Sequence, residues 1–330
     1  MAVTTTGTSG ITDSLQRYFN KKLLTQTVQN IVLDQFAYKS PLPGKVGSKT
    51  VRFFRYPTPS VESDLSAGIT EGAVKAVSTY KALSLDTVDV TLTQYGQVVG
   101  ITDLLTAVEL FNHMEQATVM NGQDGALLVD DLLRDKLGTS TSGTGTTLQL
   151  RFAGAAVGYS TVTGTDDAMT ALDILDASTN LRVNNARPSA GYFTAIMAPE
   201  IARDLMNDDD WLEASKYGDP DKLFKGEVGR YMGVRVVTST NPFRQVTTSG
   251  QGTYTAAGDV YSTFVVGDQS YGAINLASMS AYSPKMIISQ GPDKSDPLAQ
   301  VTTVGFKLYY GSCILNDQHA VNIYSTTNYS

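Results

Sequence analysis

The clearest pattern lies near the C-terminus. Val304, Phe306, Leu308 and Tyr310 alternate with Gly305, Lys307 and Tyr309. A period of two predicts a strand with one face buried. A second alternation sets Val88, Val90 and Leu92 against Thr87, Asp89 and Thr91. Upstream, "TVRFFRYP" reads as a short strand ended by Pro57. About 25 mostly polar residues separate these two strands, longer than an ordinary hairpin loop. The reading is therefore a two-stranded arm with an irregular tip. Such an arm cannot bury its own faces. It is expected to lie on another molecule.

Helical periods fill the middle. Thr102 is placed to cap a long helix, with Asp103 in its first turn and Gly138 as its stop. Its apolar face would carry Leu104, Leu105, Val108, Phe111, Met114, Thr118, Leu128, Val129, Leu132 and Leu133, and Gly122 and Gly125 are expected to kink or break it. A second helix is expected from Thr165 or Asp166 to about Asn184, with Ala168, Met169, Leu172 and Leu175 inward. "GYFTAIMAP" predicts a buried strand, and Pro199 sits where a helix begins over "EIARDLMND". Further strands are predicted over 231–239 and in "STFVVGD". Residues 1–10 read as a tail, and Ile11–Phe36 as one or two amphipathic helices with extended pieces. "KSPLPGKVGSK" breaks whatever precedes it. No internal repeat is visible.

Composition narrows the function classes. Charged residues make up only 17% of the 330, and Thr, Ser, Gly, Asn and Gln take their place. Such a surface suits a chain that buries much of its outside against partners. The net charge is −7, and no block of five or more basic residues occurs. A dedicated nucleic-acid binder would show a basic stripe. Cys313 is the sole cysteine, so neither an internal disulfide nor a cysteine zinc cluster is expected. It reads as a small buried hydrophobe. No stretch approaches the 18 apolar residues of a membrane span, and the N-terminus lacks a leader pattern. The expectation is a chain made in a cytoplasm and used there, or in something assembled there.

The residues that carry chemistry do not converge. His113 and His319 are the two histidines. Neither comes with the elbow or ligand set that a triad or a metal site requires. Asp208, Asp209 and Asp210, with Asp219 and Asp221, form the densest group of acids, but their spacing is not that of a calcium loop. "LFKGEVGRYMGVRVVTS" holds Gly226, Gly229 and Gly233 ahead of a strand. A dinucleotide cradle needs the strand first. These glycines are read as turn formers, with Phe224 and Tyr231 as anchors. No catalytic, cofactor-binding or metal-ligating residue is expected, and no cofactor.

The order of parts carries a resemblance. "ITDSLQRYFNKKLL", "LDQFAYKSPLPGKVGSKTVRFFRY", "TLTQYGQVVGITDLL", "NNARPSAGYFTAIMAPEIARDLMNDDDWLEASKYG" and "KLFKGEVGRYMGVRVVTST" span most of residues 11–240. In this order they resemble the major capsid proteins of tailed bacteriophages, with the HK97-like fold, in the N4-type branch. The resemblance implies an α+β chain with an N-arm (1–45), an extended E-loop hairpin (46–100), a P-domain with a spine helix (101–185), an A-domain (186–295) and C-terminal P-domain strands (296–330). It implies self-assembly into hexamers and pentamers around packaged double-stranded DNA, touched without sequence preference. Portal, scaffolding and decoration proteins are further partners of the family, and no membrane is. The location implied is the virion, assembled in the cytoplasm of a bacterial host. Lys49, Lys75 and Lys81 lie in the E-loop range, and no motif marks any of them for an isopeptide bond. An encapsulin-like compartment shares the fold and stays open here. So do two other classes: a carboxylate hydrolase near Asp208–Asp210, and a surface array protein.

Overall fold

The structure is a computed structural model. It describes residues 32–39, 49–56, 85–108, 113–139, 148–158, 161–162, 166–216, 229–245, 260–275, 285–289, 291–292 and 296–328. The tip of the arm, the segment before residue 32, and Phe224, Gly226, Asp219 and Asp221 lie outside these ranges.

Fourteen strands and five helices are described. The strands are β1 (Tyr38–Lys39), β2 (Thr50–Arg55), β3 (Asp86–Thr91), β4 (Thr93–Thr102), β5 (Gln149–Phe152), β6 (Phe193–Met197), β7 (Arg230–Tyr231), β8 (Val234–Thr238), β9 (Arg244–Gln245), β10 (Val260–Val266), β11 (Tyr271–Asn275), β12 (Lys285–Ser289), β13 (Val301–Ile314) and β14 (Ala320–Ser325). The helices are α1 (Asp103–Val108), α2 (His113–Gly138), α3 (Ala171–Val183), α4 (Pro199–Met206) and α5 (Asp209–Lys216). One sheet runs β1-β11-β13-β12, with β4 also on β13. A second runs β5-β14-β10-β6-β8-β7, with β9 on β10. The third is the β2–β3 pair.

Strand β13 organises the first sheet. Its 14 residues pair antiparallel with β4 along 301–310 on one side. On the other side they pair first with β12 and then with β11. The alternation in the sequence is borne out. Val304, Phe306, Leu308, Tyr310 and Ile314 turn toward helix α2 and form its core. Cys313 faces the opposite way, toward Val90 of β3 and Ile274 of β11.

Helix α2 meets this sheet through small groups. Ala117, Asn121, Gly122, Gly125 and Ala126 are buried on it, ahead of Val129, Leu133 and Leu137. Gly122 and Gly125 do not break the helix. At Gly125 a Cβ would stand 3.3 Å from the Phe306 ring, so this glycine admits an aromatic side chain against the helix backbone. The helical reading from Thr102 holds for α1 and α2, with 109–112 outside the described residues. Leu105 N–H donates to Thr102 Oγ1, as an N-cap requires. The expected apolar face fails at its start. Leu104 and Val108 are 71% and 76% exposed.

The central strands of the second sheet, β14, β10 and β6, are covered on both faces. On β6, Phe193, Ala195 and Met197 point to a core with α3 and α4, while Ile196 points to the core of α2. Strand β10 divides likewise, with Val265 on one side and Phe264 and Val266 on the other. Double cover explains why these strands read as continuous apolar runs.

Helix α3 begins five residues later than Asp166. Asp173 accepts from both the N–H and the hydroxyl of Thr170, closing the first turn there. The later start changes the helix phase. Ile174, Ala177 and Leu181 face inward, and Leu172 is exposed. Met169 is buried but precedes the helix. Pro199 occupies the first turn of α4 as read.

The end of α2 packs on Phe243 of its own core and on Tyr324 of β14. A Cβ on Gly138 would stand 2.4 Å from the Phe243 ring. Tyr324 donates to the Gly138 carbonyl at 3.2 Å. Gly138→Ala is expected to destabilise the fold by about 1–3 kcal/mol through overpacking, read as a lower midpoint in urea. Gly158→Ala, where a Cβ meets nothing, is the control.

Candidate functional site

The chemistry-bearing residues take structural places. Asp208 accepts from the Ala171 N–H at 2.6 Å and so satisfies the start of α3. Asp209 and Asp210 stand in the first turn of α5, where carboxylates suit the positive end of a helix. His319 lies on a short 3₁₀ turn with Nδ1 3.3 Å from the Asp268 carbonyl. His113 starts α2. Among the described residues, no three His, Cys, Asp or Glu side chains gather as a metal site would need. Burial pushes the Cys313 thiol up to about 11.

The turn in "GEVGRYMGVRVV" joins β7 to β8 through Met232 and Gly233, both at positive φ (46° and 85°). Two such residues make the tight hairpin turn whose twist matches its strands. Arg182 fills the space beside Gly233 and donates to the Met232 carbonyl at 3.1 Å. Tyr231 packs at a tilt on Trp211 with ring centroids 5.2 Å apart, which gives the anchoring expected of it.

The hairpin β2–β3 lies against the body of the chain. It pairs from Thr50↔Thr91 to Arg55↔Asp86. Its inner face does not wait for another molecule. Val51, Phe53, Val88, Val90 and Leu92 pack on Ile274, Cys313 and Leu315 of the same chain. The face expected to lie on another molecule is covered within the chain itself. Arg52 grips Asp89 by a two-pronged contact of 2.6 and 2.8 Å. Arg55 reaches across to the body. It donates to the Leu315 carbonyl and to Asn316, both at 3.1 Å, and stands 3.4 Å from Asp317. Two aromatic side chains of this region stay uncovered. Phe54 and Tyr56 are each 65% exposed. Between hairpin and body lies an open cleft of about 850 Å³.

A strap ahead of the hairpin is clipped to α2. Buried Asp130 accepts from the N–H groups of Val32 and Leu33, at 3.2 and 2.8 Å. Tyr271 donates to the Leu33 carbonyl at 2.6 Å, and Tyr310 to Asp34 at 3.0 Å. Lys39 closes on Asp34 at 2.7 Å, and β1 joins the edge of β11. Burial raises the Asp130 carboxyl above its usual range, and the two N–H donors pull it back. Burial, with Asp34 close by, holds both tyrosines neutral. No sequence pattern announces this cluster, because its members lie about a hundred residues or more apart.

This architecture has known counterparts. The capsid of cyanophage Pam1 superposes with a TM-score of 0.68 at 16% identity, over 93% of each chain. The capsid of Ralstonia phage GP4 gives 0.66 at 14%, over 91% of this chain and 92% of that one. The capsid of cyanophage P-SCSP1u gives 0.62 at 18%, over 90% and 89%. The chain has the HK97-like capsid fold. No family model matches the sequence, and no curated protein does. The capsid fold thus rests on three-dimensional arrangement at identities where sequence alone is nearly silent.

Two outcomes test the site description. Asp130→Ala should destabilise by about 1–3 kcal/mol, because two buried N–H groups lose their acceptor. Asp130→Asn keeps an acceptor and should fall well short of that in the same urea titration. Cys313 should resist a thiol reagent in the folded chain below about pH 10, since thiolate is scarce under a raised pKa. It should react at once in denaturant. Fast labelling of the folded chain at neutral pH would contradict the buried placement.

Proposed function

We propose that this chain is a major capsid protein of a tailed bacteriophage. Copies of it assemble as hexamers and pentamers into an icosahedral head around double-stranded DNA. The observation that carries the reading is the likeness to three phage capsid chains over about nine-tenths of their length and of this one. Such coverage leaves little room for an added catalytic unit. The physical features agree. The chain is poor in charge. Its hairpin leaves the aromatic side chains of Phe54 and Tyr56 exposed. A closed shell needs self-complementary surfaces repeated around symmetry axes, and no single contact in it has to be strong.

Within that reading the parts take roles. Residues 1–45 serve as the N-arm and 46–100 as the E-loop that reaches a neighbour. Residues 101–185 form the P-domain with its spine helix, and 186–295 the A-domain. Residues 296–330 supply the closing P-domain strands. The N4-type branch is the proposed subgroup. An acidic chain holds packaged DNA weakly. Portal, scaffolding and decoration proteins are the proposed further partners. Assembly takes place in the host cytoplasm, and the virion is the final location.

Electron microscopy of the purified chain is the test. Closed shells with five- and six-fold units are the expected result. A chain that stays monomeric at high concentration in every salt condition would overturn the reading. Deleting residues 57–80 should leave a folded subunit, seen by circular dichroism, that no longer builds shells. Normal shell yield from that variant would refute the E-loop role.

A further inference from the structure

Residues 177–199 and 229–245 hold Arg182, Arg187, Arg230, Arg235 and Arg244, and no aspartate or glutamate. The balance of the whole chain runs the other way, to a net charge of −7. The fold brings Arg182, Arg230 and Arg235 together at the β7–β8 end of the second sheet. We propose that Arg230 and Arg235, with the Tyr192 ring against Arg230, form a binding site for a phosphate group.

Three observations converge on it. The first is register. Arg230 stands directly opposite Arg235 across the β7–β8 pair, and Arg235 is level with Thr194 of β6. Residues level in a sheet point to the same face, and so do residues two apart on a strand. Tyr192, two before Thr194, therefore shares that face. The Arg230 guanidinium lies over the Tyr192 ring, 4.3 Å from its centroid. Both arginines are exposed, while Val234 and Val236 point into the core on the other face.

The second is the missing counter-charge. Like charges directly opposite in a sheet repel. Neither Arg230 nor Arg235 makes an ion pair among the described residues. Arg182, at the hairpin tip, is engaged by the Met232 carbonyl. Beyond Thr194 the row continues to Val266 of β10, and the next acid, Asp268, is tied by its N–H to the Arg187 carbonyl at 2.7 Å. Asp208 and Asp210 lie near Tyr231, on the core side of the hairpin. An anion between the two guanidiniums turns one repulsion into two attractions.

The third is the choice of base. Each guanidinium is a fork that donates two parallel bonds to an oxyanion and keeps its charge at any working pH. One fork saturates the edge of a planar carboxylate. Tetrahedral phosphate offers oxygens in more than one direction, which suits two forks set a strand spacing of about 4.8 Å apart. Within the shell reading, on which this source alone rests, the phosphates at hand are those of the enclosed DNA. Free inorganic phosphate carries the same chemistry.

The test titrates the purified full chain against a short labelled DNA duplex over a range of salt, by fluorescence anisotropy. Arg230→Ser with Arg235→Ser should weaken binding about tenfold and lower the salt slope by about two, one phosphate contact for each arginine. Arg230→Lys with Arg235→Lys should keep the slope. Arg52→Ser with Arg203→Ser removes the same charge elsewhere and should leave the slope near wild type. Circular dichroism and thermal melting should match wild type. If the serine pair perturbs the fold, Arg235→Ser decides alone, with a slope loss of about one. Inorganic phosphate should displace the duplex better than chloride at equal ionic strength, from wild type but not from the serine pair. That phosphate difference with an unchanged DNA slope supports the site with free phosphate as its source. An unchanged slope with no phosphate preference overturns the proposal. So does polyglutamate that displaces the duplex as well as polyphosphate of equal charge, since the arginines then serve an acidic protein. Shells are scored separately by electron microscopy: phosphate binding by a chain that never forms them refutes the shell reading alone.

Discussion

The close approach of helix α2 to strand β13 is the constraint on which the rest depends. Ala117, Asn121, Gly125 and Ala126 present almost no bulk, so Phe306 can sit against the helix backbone. Asn121 adds a bond to the Val304 carbonyl at 3.0 Å. The neighbouring strand obeys the same rule. A Cβ on Gly96 would stand 2.7 Å from the Phe306 carbonyl, and one on Gly305 2.9 Å from that of Gln97. With helix and strand at this spacing, the far end of α2 lands on Phe243 and Tyr324, and the second sheet is docked. On the back of β13, Val90 would meet a Cβ on Gly311 at 3.0 Å, and the hairpin is docked. Small residues at a few points thus fix three layers at once.

Strands that alternate were legible in the sequence because one face is wet and the other dry. Residues 87–91 and 304–310 show this, while β6, covered on both faces, reads instead as a continuous run. The buried face of α2 was not legible. It is made of glycine, alanine and asparagine, which hydropathy does not count as a core. The phase of α3 was missed for a related reason. Several residues were able to cap it, and the Thr170–Asp173 pairing that decides the matter is a contact of side chain and backbone rather than a period. Met232 hid the β7–β8 turn, since a methionine at positive φ is not a turn signal.

The contact features divide in the same way. That residues 50–55 and 86–91 form a paired arm was readable from their alternation and from the length of chain between them. That its inner face is already covered by Ile274 and Leu315 was not, because more than 180 residues separate the partners. Asp130 and Asp34 show the general case. A buried acid looks like a surface acid until the N–H or hydroxyl groups that satisfy it are located. The likeness to phage capsids rests on the same long-range arrangement, which survives at 14–18% identity.

Strand β4 follows the hairpin after one residue, Leu92, and is bonded to β13 along ten consecutive pairs, from Thr93↔Tyr310 to Thr102↔Val301. A force on the hairpin therefore enters the subunit along a strand axis. The ladder there is loaded in shear, with its bonds sharing the strain, where a perpendicular pull would peel them one at a time. β13 then passes the tension to β11 and β12 through further ladders. The chain is wired as a tensile member, and an assembly woven from such members would resist swelling through backbone hydrogen bonds as well as through the fit of side chains.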